Sequence, residues 1–181
     1  MFSDVNIENN FTKEFNKFIY EYKNNDYSDI IFLCIGTDRI TGDAYGPLVG
    51  NKLTRLFENI NNEKITVIGT LKKPLNAINI KEVLKDIKSK TEKPYIIAID
   101  SAFSKKENIG KIILSNSGMY IGKGLNKKSD KIGNISIKGV VAKDYKIPKV
   151  NFAILQNTSL GLIMDLADYT ADNIFEVIKY A

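Results

Sequence analysis

Residues 32–50, FLCIGTDRITGDAYGPLVG, change character twice. The apolar run that ends there, DIIFLCIG (29–36), is too short for a helix and reads as a parallel strand covered on both faces. A loop follows that packs Asp38, Arg39, Thr41 and Asp43 among glycines. From Gly46 the spacing of Leu48, Val49, Leu53, Leu56, Phe57 and Ile60 is helical, and Pro47 suits a first helical turn, where its missing N–H is not needed. A strand that hands over to a helix through two carboxylates and an arginine sets the question for the rest of the chain.

The alternation recurs on both sides of this unit. Upstream, Phe11, Phe15, Phe18, Ile19 and Tyr22 form the aromatic stripe of an amphipathic helix. Downstream, KITVIGTL (64–71) reads as a strand, and NIKEVLKDIKSK (79–90) as a helix capped by Asn79 with Glu82 three residues on. KPYIIAID (93–100) is a buried strand that ends on an aspartate. GKIILSNSG (110–118) and GNISIKGVVAK (133–143) are β-rich, NFAILQNTS (151–159) reads as a last apolar strand, and the remainder forms one long helix or two short ones. These elements predict an α/β sandwich in a single domain, 1–181, with a mostly parallel central sheet and a β insertion around 119–143.

Composition narrows the chemistry. The chain of 181 residues contains no histidine, which removes Ser-His-Asp and Cys-His hydrolysis and histidine-ligated zinc. Cys34 is the only cysteine and lies in an apolar run, as expected of a buried, inert thiol in a reducing compartment. The N-terminus carries Asp4 and Glu8 with no apolar run behind them, so a cytoplasmic location is expected, and no apolar stretch is long enough to span a membrane. A net charge of +5 rests on lysine, with Arg39 and Arg55 the only arginines, which argues against a nucleic-acid reader. The dense basic stretch Lys123–Lys131 reads as a solvated loop or a patch for an acidic partner. Apolar surface left exposed on the first or last helix would point to a homo-oligomer.

In an open parallel sheet, ligands bind beyond the carboxyl ends of the strands. GTDRITGD, DSAFSKK and QNTS fall at that edge, so Asp43 and Asp100 are expected to share a crevice. A helix start near Asp43 favours its ionised form and an apolar strand disfavours that of Asp100, so the two could divide base and acid roles. The competing readings are a helix cap for Asp43 and a loop-stabilising turn for Asp100. Asp38, Asp43 and Asp100 could together hold Mg²⁺ or Ca²⁺, and Ser101 or Ser104 beside Lys105 could form a nucleophile pair. The loop lacks the P-loop and dinucleotide-binding spacings and puts negative charge where phosphate would dock.

Three blocks together resemble a known family. FLCIGTDRITGDAYGPLVG is similar to the signature of the YyaC-type sporulation proteins. More distantly it resembles the spore germination protease, through a T-x-D-A-x-G-P step matching Thr41, Asp43, Ala44, Gly46 and Pro47. KPYIIAIDSAFS resembles that protease's strand with Ile99, Asp100 and Ala102 in register, and LSNSGMYIGKGLNKK its loop with Ser115, Gly118, Gly122, Gly124, Asn126 and Lys127. The resemblance spans roughly residues 28–178 and implies a three-layer, phosphorylase/hydrolase-like α/β fold shared with HybD-like hydrogenase-maturation peptidases. It implies Asp43 and Asp100 as a catalytic pair, with no metal or other cofactor. Asp38, Arg39, Thr41, Ser101, Asn116, Gly122, Gly124, Asn126 and Lys127 would bind a peptide or protein substrate, such as small acid-soluble spore proteins, in the forespore or spore core. The chain departs from the protease at Asn116, where the protease has aspartate, at Tyr120 in place of a histidine, and at Gln156–Ser159 in place of Gly-Val-Pro-Thr. The maturation peptidases hold nickel with two carboxylates and a histidine, a set that a chain without histidine cannot complete. The function expected is hydrolysis of peptide bonds by an aspartate pair in sporulation or germination; the alternative is a binding or assembly module that kept the fold without the chemistry.

Overall fold

A computed structural model describes residues 11–58, 60, 63–120 and 131–179. Its central sheet has the strand order β2-β1-β3-β7-β4. β1 (Asp29–Cys34) pairs in parallel with β2 (Ile65–Ile68) and with β3 (Pro94–Ser104), and β7 (Ile135–Lys143) continues the parallel set beside β3. β4 (Ile112–Ser115) closes that edge antiparallel to β7.

Side chains alternate along each strand and so divide the core into two layers. Phe32 and Cys34 of β1, Ile97 and Ile99 of β3 and Ile137 of β7 face α1 (Phe11–Asn24), α2 (Tyr45–Phe57) and α5 (Leu160–Ile178). Ile31, Leu33 and Ala98 face the opposite way, against Ile80 and Ile87 of α3 (Ile80–Lys90). The expected three-layer α/β sandwich is the observed one. The α1 stripe lies on the core as its spacing predicts, with Phe11, Phe15 and Ile19 buried. Among the described residues no helix is long and apolar enough to cross a membrane.

Three expectations need correction. Residues 151–159 are not a strand: α4 (Pro148–Gln156) occupies most of them. Pro148 in its first turn marks a helix start, and the apolar run that suggested a strand is left without a buried residue. The β insertion shrinks to a two-stranded hairpin, β5 (Met119–Tyr120) with β6 (Lys131–Ile132), since residues 135–143 form β7 inside the main sheet. Asn79 stands at the start of α3 but does not cap it with its side chain. Its Oδ1 accepts from the Asn76 amide at 2.9 Å and its Nδ2 donates to the Pro74 carbonyl at 3.0 Å, so the amide tightens the preceding turn instead.

The path of the chain makes a crevice. From β1 it passes through α2 on one face to β2, then through α3 on the other face to β3, on the far side of β1. Strand order therefore reverses between β1 and β3, and the loops beyond their carboxyl ends diverge.

Candidate active site

The loop after β1 is tied at both ends. The Gly36 amide donates to the Leu75 carbonyl at 2.8 Å and the Thr37 amide to the Asp43 carbonyl at 3.2 Å. Gly36 has φ +140°, and a Cβ there would lie 2.0 Å from the Asp43 carbonyl oxygen, so this crossing needs glycine. Thr41–Asp43 form a single 3-10 turn in which the Asp43 amide donates to the Ile40 carbonyl at 2.9 Å. Ala44, not Asp43, stands at the start of α2, and no side chain caps that helix. The capping reading of Asp43 thus has no support.

Asp100 is not at the end of its strand, as the sequence suggested. β3 continues to Ser104, held by pairing with β7 that resumes after a register shift at Ala102/Phe103. Asp100 pairs with Lys138, and its Oδ1 accepts from the Ser101 amide at 2.7 Å. Burial lifts its pKa well above the usual carboxylate range, and the Asp43 charge lifts it further; the Ser101 amide and the Lys138 charge pull the other way. Asp43 is pushed up to about 6 by burial, opposed by the Thr37 amide. The two carboxylates are therefore near enough to feel each other, and both move in the same direction. The expectation that the helix start would favour ionised Asp43 fails because desolvation outweighs it.

A phenol fixes the two segments relative to each other. Thr170 Oγ1 donates to the Leu166 carbonyl at 2.8 Å, which leaves its oxygen to accept from Tyr45 Oη at 2.7 Å. The Tyr45 ring lies against Gly139, where a Cβ would come within 2.8 Å of the ring. Gly139 pairs with Ser101 and follows Lys138, so the residue two places after Asp43 is packed at the level of Asp100. Sequence reasoning missed both Tyr45 and Lys138. The available signal was Gly139, a glycine inside a strand pattern, which marks a close approach.

The other expected residues separate. Asp38 and Arg39 are exposed, held in a local turn by the Thr37 hydroxyl, which accepts from the Arg39 amide at 3.3 Å. Thr41 opens the 3-10 turn, and Ser101 follows Asp100 on the opposite face of β3. Asn116 comes after Ser115, whose partner Ser136 lies two residues before Lys138; β4 therefore leaves the sheet on the amino-terminal side of Asp100. Gly122, Gly124, Asn126 and Lys127 lie outside the described residues, as does most of the basic stretch 123–131. Among the described residues no three carboxylates or thiols come together as metal ligands, so Asp38 does not complete a set with Asp43 and Asp100. Ser104 Oγ accepts from Asn108 Nδ2 at 3.1 Å, and Lys105 is exposed. The QNTS segment reaches the site from a helix rather than a strand: a Cβ on Gly42 would lie 2.9 Å from Thr158 Oγ1. Thr158 also lines an open cavity of about 500 Å³ with Lys106, Lys143, Ile154, Asn157 and Leu162.

A mostly parallel sheet between helical layers, with loops that diverge where strand order reverses, defines a three-layer α/β fold. The crystal structure of the [NiFe] hydrogenase maturation protease HycI from Thermococcus kodakarensis KOD1 has this fold: it matches 89% of this chain and 99% of its own, with a TM-score of 0.54 and 18% identity. The chain belongs to the family described as protein of unknown function DUF1256, whose model matches residues 4–173. It is 33% identical over 145 residues to the uncharacterized protein YyaC of Bacillus subtilis (strain 168), covering 80% of this chain and 67% of that one. It is 23% identical over 190 residues to the germination protease of Geobacillus sp. (strain WCH70), and spans 46% of that protein's length.

Proposed function

We propose that this protein is an aspartate-dependent peptidase acting in sporulation or germination, within the forespore or spore core. The observation that carries the reading is the coupling of Asp43 and Asp100, two carboxylates from different elements, both raised in pKa by burial. Asp43, with a pKa of about 6, is ionised near neutral pH and is assigned as general base; Asp100, whose pKa burial and the Asp43 charge both raise, is assigned as general acid. Asp43 takes a proton from water as the water oxygen bonds to the peptide carbonyl carbon. Asp100 gives its proton to the nitrogen as the C–N bond breaks. Similarity to the germination protease supports a protein substrate, with small acid-soluble spore proteins the class to test first.

On this reading Arg39 and Asp38, exposed on the loop beside the pair, contact the peptide, and the cavity next to Thr158 receives one of its side chains. A second reading, a binding or assembly module, draws on exposed Ile147, Val150 and Phe152 of the α4 region with Leu160 and Met164 of α5, a surface suited to a protein partner or a second copy. The deciding experiment incubates purified spore proteins with wild type, Asp43→Asn and Asp100→Asn. Cleavage by wild type alone supports the peptidase; no cleavage, or equal cleavage by all three folded proteins, overturns it.

A further inference from the structure

β7 is buried along its length except at Lys138 and its last residue, Lys143. A cation in such a strand is costly to desolvate unless an anion faces it. The parallel register pairs Lys138 with Asp100, so the two side chains leave the same face of adjacent strands, whose backbones run about 4.8 Å apart. On the β4 side of this row stands Ile113, and on the β1 side Ile35, whose amide donates to the Ile99 carbonyl at 2.7 Å. Neither brings a charge. Among the described residues, the ionisable groups coupled to Asp100 from the other elements are Asp43 from the 3-10 turn and the Tyr45 phenol from α2, which burial keeps protonated.

We propose that Lys138 is the third functional residue of the aspartate site, a positioning residue whose ammonium stabilises the carboxylate left on Asp100 after its proton passes to the departing nitrogen. The assignment rests on the peptidase reading above. Before the step the site holds ionised Asp43, protonated Asp100 and charged Lys138; after it, protonated Asp43, ionised Asp100 and the same Lys138. Lys138 exchanges no proton, and the three groups sum to zero charge in both states. Without the lysine the three-group site would carry a net negative charge in both states, and Asp100 would release its proton less readily.

The test is a carboxyl NMR titration of aspartate-labelled protein, comparing wild type with Lys138→Met, Lys138→Gln and Lys138→Arg. Loss of the charge in the Met or Gln variant is expected to tighten proton binding by Asp100 at least threefold, and Arg to restore the wild-type midpoint. With a cleaved substrate in hand, kcat is expected to fall about tenfold or more in the neutral variants with KM nearly unchanged. An unmoved Asp100 midpoint, or an equal shift in the neutral and Arg variants, overturns the assignment. The titration needs no substrate. If wild type cleaves nothing, the peptidase reading falls and the Lys138–Asp100 coupling is still decided by the midpoints; if the midpoints stay put while cleavage persists, only the role of Lys138 falls.

Discussion

Asp43 and Asp100 are raised in pKa by the same cause and held by different means. Asp43 sits in a turn whose shape depends on a few backbone hydrogen bonds and on Gly36, whereas Asp100 is built into an 11-residue strand with a partner on either side. The strand supplies rigidity from the sheet ladder. The turn borrows its rigidity from Tyr45, which follows it into α2 and anchors against Gly139 and Thr170. An acid pair assembled in this way tolerates change at the strand better than change at the turn or its anchor.

The comparison is broken most severely by removing either carboxylate's chemistry. Asp43→Asn and Asp100→Asn are each expected to lower peptide cleavage by about 10²–10⁴-fold, measured as kcat on a spore-protein substrate. Next come the two glycines. Gly36→Ala forces a Cβ onto the Asp43 carbonyl at φ +140° and is expected to cost at least about 2 kcal/mol in urea unfolding. Gly139→Ala pushes on the Tyr45 ring at 2.8 Å and is expected to cost about 1–3 kcal/mol, with cleavage lowered along with stability.

Asp43→Asn sharpens the comparison from the other side. With a folded pKa near 6, above its unfolded value, Asp43 binds its proton more tightly in the native state. Its contribution to stability is complete at pH below about 4 and is lost as the pH rises through 6. Removing the charge is therefore expected to stabilise the protein by about 1–2 kcal/mol at pH 7.5, a gain that vanishes below pH ~4 in denaturant titrations. The smallest effect is expected of Tyr45→Phe, about 1 kcal/mol or less, since Thr170 keeps its own bond to the Leu166 carbonyl. Activity in that variant should fall more than stability if the phenol positions Asp43.

Much of this architecture is readable residue by residue. The uninterrupted apolar runs at 29–36 and 93–100 lie in strands covered on both faces, and the α1 stripe buries the phenylalanines its spacing selects. NFAIL resisted the same reasoning because a short apolar run fits a buried strand and a helix equally well. Pro148, three residues earlier, favoured the helix. At the site, the loop beyond β1 and the acid in β3 were legible as polar breaks in apolar patterns. Lys138 was not: a lysine in a strand pattern is ordinarily a solvent-facing residue, and its partner is 38 positions away along the chain.

The sequence by itself determined which segments become strands and helices over most of the chain, that histidine chemistry is absent, and that the two aspartates lie in the loop after β1 and in β3. Only the tertiary structure decided the direction of the Asp43 shift, the place of Lys138 beside Asp100, and the role of Gly139 as the seat of the Tyr45 ring. Local patterns report which face of an element is apolar. Desolvation and charge coupling depend on what the rest of the chain packs around a group, and that is settled only when distant strands come into register.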